Sequence, residues 1–418
     1  MQVVIIAGGK GTRIASVNSE IPKAMIPVDG KPVLEHQIVM AARYGYKDII
    51  LLTGHLGEVI ADYFGDGSKW GVNITYYREE MPLGTAGALA EVKDLLEDTF
   101  FVFYGDTVMD IDMPYMMEYH KIHNADATLL VHPNDHPYDS DIIKVASSED
   151  MRVTEFCCKP HPEGFVSHNI VNAALFIFNK NVVDFIPKGE KSHIEKHILP
   201  KCLEAGLSLY AYRTHEYVKD MGTPERYNAV CGDWISGRVR RMNRENKTKA
   251  VFLDRDGVIN LDNGLVYKPE QLVLVDGIEK ALGKIHAAGY LAIVITNQSV
   301  IARNLCSFEE HDVIEQTLET LLGKKGAYID ALYFCPHHPD SGYPEEIKEL
   351  KIKCDCRKPA PGLLLKAAED FNIDLAESFM IGDRKSDVEA GNNAKVKGSF
   401  LCESNNGESL MNIIDNIL

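Results

Sequence analysis

Two α/β domains in one chain are what the sequence predicts, and three observations predict them. Residues 250–253, AVFL, run without a break into Asp254, with Asp256 two positions later and Gly257 after it. Residues 2–7, QVVIIA, run in the same way into Gly8, Gly9 and Gly11. After each run, short apolar stretches alternate with segments of helical period, over a chain of 418 residues that exceeds one ordinary domain. An apolar run this short, bounded by glycine and polar residues, reads as a strand buried on both faces of a parallel sheet. Sheets of that kind place their ligand crevice beyond the C-terminal strand ends, where Asp254 and the glycines fall.

Composition narrows the function. With 45% hydrophobic and 25% charged residues, the chain has the makeup of a globular protein with sizeable cores. Lys and Arg number 44 against 61 Asp and Glu, so 44 − 61 leaves a formal charge of −17. That balance argues against a nucleic-acid or anionic-membrane partner, and a phosphate-handling protein so acidic must concentrate its cations locally. Nine cysteines, an odd and unevenly spread number, do not form a disulfide framework. The N-terminus lacks a basic leader, and no apolar run approaches the ~18 residues of a membrane helix. A reduced, cytoplasmic setting is expected.

In the first half, the glycine turn after residues 2–7 lets backbone N–H groups approach phosphate oxygens. Neither common phosphate fingerprint fits. The P-loop spacing is absent, and Ile14 stands where the dinucleotide motif needs its third glycine. A simple tight connection is the competing reading, but Lys10, Arg13 and Lys23 crowd one short stretch of an acidic chain. Residues 32–44 and 58–64 read as helices, and 48–53, 74–77 and 99–104 as strands. The last ends in Gly105-Asp106-Thr107. An aspartate at a buried strand tip suits a Mg²⁺ ligand, with a turn or helix cap as the alternative.

The motifs AGGKGTR, PKAMIPVDGKPVLEH, PLGTAGAL, GDT and KDMGTPE follow one another across residues 7–225. In that order they resemble the sugar-1-phosphate nucleotidyltransferases. The resemblance implies a Rossmann-like mixed sheet that binds a nucleoside triphosphate and a sugar 1-phosphate. It places Gly8, Gly9, Gly11, Thr12 and Arg13 on the triphosphate, with Gly84 and Thr85 of PLGTAG at the nucleotide. It makes Arg13 and Lys23 the catalytic cations, and Asp106 and Asp220 the Mg²⁺ ligands. It puts Lys159 on the sugar phosphate and Asn172 on the sugar. Two anions must meet in this reaction while charge builds on the departing pyrophosphate, so cations and positioning supply the catalysis. Glu79-Glu80 before PLGTAG resembles the guanylyl branch, because a carboxylate there accepts from guanine's N1–H and N2–H₂; GTP is the expected nucleotide. One departure stands out: Cys158 occupies the place before Lys159 where the family carries Glu.

Residues 223–234 read as the closing helix of this domain, 1–235. The polar, basic stretch 236–248 reads as a linker or helical extension, and 249–418 as the second domain. There, helices are expected at 276–288, 307–322 and 361–371, and strands at 290–295, 329–334 and 379–381. This alternation implies a doubly wound parallel sheet. Its strand tips carry Asp254/Asp256, Thr296-Asn297, Arg357-Lys358 and Asp383/Asp387.

That order of motifs resembles the haloacid dehalogenase (HAD) phosphatases. It implies Asp254 as nucleophile and Asp256 as general acid and base. Mg²⁺ would be held by Asp254, Asp383 and the main-chain carbonyl of Asp256, and Thr296 and Lys358 would grip the phosphoryl oxygens. The stretch from Asp256 to Thr296 is too short for a cap domain, so a minimal cap is expected. Cys335-x-His337 and Cys354-x-Cys356 supply the four ligands of a closed, structural Zn²⁺ site that pins the intervening loop, with His338 as the alternative to His337. Zinc at this spacing resembles the heptose-bisphosphate 7-phosphatases more than the histidinol-phosphate phosphatases. Val300 and Asn304 replace glycines of the former's TNQSGIARG, removing φ > 0 freedom from that loop, while Arg303 remains for a distal phosphate.

Together the halves imply a bifunctional enzyme that dephosphorylates D-glycero-D-manno-heptose 1,7-bisphosphate at position 7 and couples heptose 1-phosphate to GMP, feeding surface-polysaccharide or glycan assembly. A mannose-1-phosphate guanylyltransferase fused to another sugar-phosphate or histidinol-phosphate phosphatase is the alternative. A non-catalytic nucleotide-sugar sensor is the alternative of another class, against which every retained charged motif residue weighs.

Overall fold

The computed structural model describes residues 1–9, 21–147, 149–340 and 345–418. Lys10, Gly11, Thr12 and Arg13 lie outside them. Two compact units emerge. One comprises Met1–Val131, Ile143–Cys158 and Asn172–Glu245; the other comprises His132–Ile142, Lys159–Val171 and Asn246–Leu418.

The first unit is built on a mixed sheet, as the resemblance implied. Gln2–Ile6 lies parallel between Asp48–Thr53 and Thr99–Tyr104, Asn73–Arg78 extends the parallel side, and Val171–Asn179 runs antiparallel to Thr99–Tyr104. The central strands are apolar on both faces because helices and loops cover both: Val3, Val4 and Ile5 are wholly buried, as are Phe100 to Phe103. Beyond Gly105 the chain turns into Thr107–Asp110, which pairs antiparallel with Tyr217–Asp220 and sets Asp220 opposite Thr107.

The stretch 236–248 differs from a solvated linker. Thr223 caps the helix Pro224–Ile235 by accepting from Arg226 N. Gly237, at φ +73°, then reverses the chain into Arg238–Arg241. Val239 enters an apolar cluster with Ile26, Val33, Val108 and Tyr217. Asn243 is fully buried, donating to Asp110 Oδ1 at 2.7 Å and to the Tyr44 hydroxyl at 3.1 Å. Met242 packs on the same cluster, and Arg244 N donates to Glu216 at 2.9 Å, so the segment closes the first unit.

The second unit holds a five-stranded, all-parallel sheet in the order Ala331–Cys335, Leu291–Asn297, Ala250–Leu253, Phe379–Gly382, Gly398–Leu401. One face packs the helices Ile278–Ala287, Phe308–Lys324 and Gly407–Ile417; the other packs Gly362–Phe371 and Lys385–Asn393. This is the expected doubly wound arrangement. Two excursions from the first half of the sequence belong to this unit, against the contiguous boundary read from sequence. His168 bonds Glu319 at 2.7 Å and Asp312 at 2.9 Å, and Asn169 N donates to Glu319 at 2.8 Å. Pro137 packs so closely on the helix that a Cβ at Gly323 would sit 2.5 Å from its ring.

Candidate active sites

In the second unit, Asp254 ends the central strand and is 6% exposed. Lys358 Nζ lies 2.7 Å from Asp254 and 2.7 Å from Asp387, and also donates to Ile295 O at 2.7 Å. The Asn297 amide clamps the Lys358 backbone from both sides, donating to its carbonyl at 3.1 Å and accepting from its N–H at 3.0 Å. The Asn297 amide thus orients the lysine. Gly257 is a glycine by necessity, since at φ +88° a Cβ would stand 2.3 Å from Asp383 Oδ2.

Asp254, Asp383 and Asp387 bring one carboxylate oxygen each within 4.8 Å of one another. Asp383 Oδ1 is buried without a hydrogen-bond partner among the described residues. A buried, orphaned carboxylate oxygen in a cluster of three fits a hard divalent cation such as Mg²⁺. Asp387, expected at the same strand tip as Asp383, belongs to this group. The signal was its spacing: four residues after Asp383, in the first turn of Lys385–Asn393, it returns to the strand tip. Burial pushes Asp254 above the usual carboxylate range, opposed by Lys358 and reinforced by Asp387. Burial alone would lower Lys358, yet Asp254 and Asp387 hold it above its ordinary value.

The Asp256 carboxylate stands apart from that cluster. It accepts from Arg255 at 2.9 Å, Asn260 at 2.9 Å and Gln298 at 3.1 Å. Burial would raise it, but Arg255, Asn260 and Gln298 together carry it below the ordinary carboxylate value. Thr296 is buried at its strand end, its hydroxyl accepting from Gln298 at 2.8 Å.

Cys335, His337, Cys354 and Cys356 converge as their spacing predicts. Sulfur–sulfur separations are 3.1, 3.2 and 3.5 Å, and His337 Nδ1 lies 3.3 Å from Cys356 and 3.6 Å from Cys335. Four donors at these distances with no disulfide among them suit the corners of a tetrahedral Zn²⁺ site. His338 takes no part in the cluster. Arg357 donates to His337 O at 2.9 Å, which ties the cysteine loop to Lys358 next in sequence. Asn304 still adopts φ +56°, and Val300 is buried at 2% exposure. The two lost glycines therefore leave the turn intact: asparagine tolerates the left-handed region, and the valine packs.

In the first unit, Gly8 follows the central strand so closely against Glu79 that a Cβ would meet its Oε2 at 2.6 Å. Glu79 is half-buried, accepts from Leu83 N at 3.2 Å, and is raised above its ordinary value by burial. Gly9 adjoins it in an open position. Gly84, at φ +79°, presses on Ser192, whose carbonyl would be 2.2 Å from a Cβ. Thr85 Oγ1 accepts from Ile194 N at 3.0 Å. Lys23 forms an ion pair with Asp106. Asp106 O accepts from Met221 N at 3.3 Å, so Asp106 and Asp220 sit on neighbouring turns of paired strands. Asp220 accepts from Arg226 at 2.6 Å and Gly222 N at 2.7 Å. Asn172 approaches Glu195 at 3.5 Å, where the Tyr104 hydroxyl also donates at 2.6 Å. Glu195 had no sequence signal, being a single acid in a mixed segment. Lys159 lies in the second unit, its ammonium on Asp139 O at 2.6 Å. No described helix is long and apolar enough to cross a membrane.

Comparison with known proteins gives two matches along the chain. The Nucleotidyl transferase family model covers residues 2–233, and a HAD-hydrolase-like model covers 355–405. A mannose-1-phosphate guanylyltransferase of Mycobacterium tuberculosis is 35% identical over 240 residues, 57% of this chain and 65% of that one. The chain thus spans just under two thirds of that relative. Two D-glycero-D-manno-heptose-1,7-bisphosphate 7-phosphatases align with the C-terminal part. The β-anomer enzyme of Pasteurella multocida is 42% identical over 37% of this chain and 82% of its own length. The α-anomer enzyme of Burkholderia mallei is 43% identical over 37% and 80%.

Proposed function

We propose, from the premise that this chain belongs to the nucleotidyl transferase family and carries a HAD-type phosphatase in its C-terminal part, that its two activities act in succession on one heptose. The phosphatase removes the 7-phosphate of D-glycero-D-manno-heptose 1,7-bisphosphate, and the transferase joins the resulting heptose 1-phosphate to GMP from GTP. The observation that carries this reading is the Asp254, Asp383, Asp387 and Lys358 cluster beside a four-ligand cysteine loop. It is supported by relatives 42 and 43% identical that act on this bisphosphate.

In the phosphatase, Asp254 attacks phosphorus, the bond to the sugar oxygen breaks, and Asp256 gives that oxygen its proton. Resting Asp256 is anionic; a phosphate dianion arriving beside it raises its pKa and supplies the acid form. Asp256 then takes a proton from the water that hydrolyses the aspartyl phosphate. Lys358 and Thr296 hold the phosphoryl oxygens, with Asn297 keeping the lysine in place. Asp254, Asp383 and Asp387, with the main-chain carbonyl of Asp256, would hold Mg²⁺, which would supply charge neutralisation for the transferring phosphoryl group.

In the transferase, a sugar-phosphate oxygen attacks the α-phosphorus and pyrophosphate departs. Lys23, and Arg13 outside the described residues, offset the charge, and Asp106 and Asp220 suit a second Mg²⁺. Gly8 and Gly9, with Gly11 and Thr12 outside the described residues, are assigned to the phosphates, Gly84 and Thr85 to the nucleoside, and Asn172 to the sugar. Glu79 beside Gly8 favours guanine, whose N1–H and N2–H₂ both donate. Mannose 1-phosphate is the second reading for this half, favoured by the 35% identical relative.

The test is product analysis by mass after incubation with each anomer of the bisphosphate, Mg²⁺ and each nucleoside triphosphate. GDP-heptose with released phosphate and pyrophosphate is expected. Preference for ATP or UTP, or, in a parallel incubation of mannose 1-phosphate with GTP, GDP-mannose formed faster than GDP-heptose, overturns the assignment.

A further inference from the structure

The loop that leaves the Leu291–Asn297 strand and the loop that leaves Cys335 are fastened together. Ile347 N donates to Ala302 O at 3.0 Å, and His338 N donates to Leu350 O at 3.1 Å. Val300, Ile301 and Cys306 pack with Phe334 and Leu350 beneath them. On this platform Arg303 Nη2 lies 2.9 Å from His338 Nε2, and His338 is 8% exposed. A guanidinium has donors only, so Nε2 is the acceptor in this contact. At the other ring nitrogen, Nδ1, the Asp340 N–H and the Asp340 carbonyl both stand at 3.2 Å. The ring is thereby held at both of its nitrogens. The adjacent residue does the same for a second guanidinium, as Arg357 donates to His337 O. Two successive histidines thus each hold one arginine, beside the lysine that faces the nucleophile, in a chain of net charge −17.

We propose that His338, which takes no part in the cysteine cluster, is a positioning residue that aims Arg303 at the phosphate the enzyme does not cleave, and so sets preference for a bisphosphate over a monophosphate. The inference rests on the phosphatase reading above. His338 touches no reacting atom; it acts by restricting a long side chain to one direction, which removes the ordering cost from substrate binding.

The contrast between two conservative variants tests it. Glutamine at 338 extends an acceptor to the Nε2 position, whereas asparagine reaches only as far as Nδ1. With heptose 1,7-bisphosphate, His338→Asn should raise KM about tenfold, the effect of losing one hydrogen bond to a charged group, with kcat within about twofold. With heptose 7-phosphate its KM should not move, and His338→Gln should restore the bisphosphate KM. Zinc content should equal that of the wild type in both. Equal changes for both substrates, an unchanged bisphosphate KM in His338→Asn, or loss of zinc would each overturn the role. Arg303→Ala separates the two ideas. If it abolishes bisphosphate preference while His338→Asn keeps it, His338 alone is misassigned. If the wild type shows no bisphosphate preference at all, the substrate assignment fails.

Discussion

At the scale of single residues, the phosphatase half turns on a lysine between two carboxylates. Asp254→Asn keeps the shape of the nucleophile but removes its attacking oxyanion, so phosphate release should fall about a thousandfold or more. Nucleotidyl transfer by the same sample should be unchanged; parallel loss of both activities would place Asp254 in a structural role. Lys358→Met would leave Asp254 and Asp387 buried without their cation, which costs about 3–5 kcal/mol in such settings. A denaturation midpoint for the second unit measures it. In the other half, Glu79→Gln exchanges one acceptor oxygen for a donor that confronts guanine's own donors. Discrimination for GTP over ATP should drop by about tenfold or more in kcat/KM.

At the scale of elements, two attachments can be tested. The first is the cysteine loop. Cys356→Ser should remove about one bound zinc per chain by metal analysis and lower phosphatase activity by loosening Arg357 and Lys358, which follow directly in sequence. Unchanged activity after zinc removal would make the loop independent of the site. The second is the segment Lys159–Val171, held to the helix Phe308–Lys324 through His168. Burial works against a charged imidazole there, but Glu319 and Asp312 outweigh it and push His168 up to about 10. A raised folded-state pKa stabilises below the unfolded value near 6.5 and is lost as pH rises through the folded value. Stability of the second unit should therefore decline between about pH 6.5 and pH 10. His168→Gln should flatten that decline and lower stability at the acid end. Equal pH profiles for variant and wild type would count against the charged pair.

At the scale of the whole molecule, the chain carries two cores with separate sheets, and each site sits at strand ends of its own sheet. Most of this is legible in the sequence because it is periodic or local. The expected strand 48–53 is Asp48–Thr53, and the parallel order of the second sheet follows from its alternation with helices. The cluster of Cys335, His337, Cys354 and Cys356 was legible because two pairs at i, i+2 leave little choice of geometry. Val239, Asn243 and His168 were not, since each is one residue whose partners lie far along the chain. The same holds for Glu195, and for the bonds between Asn297 and the Lys358 backbone.

Residue order by itself determined the two α/β folds, the acidic strand tips and the convergence of Cys335, His337, Cys354 and Cys356, since short-range spacing and burial on two faces are written in adjacent positions. Only the tertiary structure decided that Lys358 bridges Asp254 and Asp387, that residues 236–245 close the first unit, and that His338 faces Arg303 instead of the cysteines. Those outcomes depend on which distant groups meet in space, and a side chain's partner across a fold leaves no periodic trace along the chain.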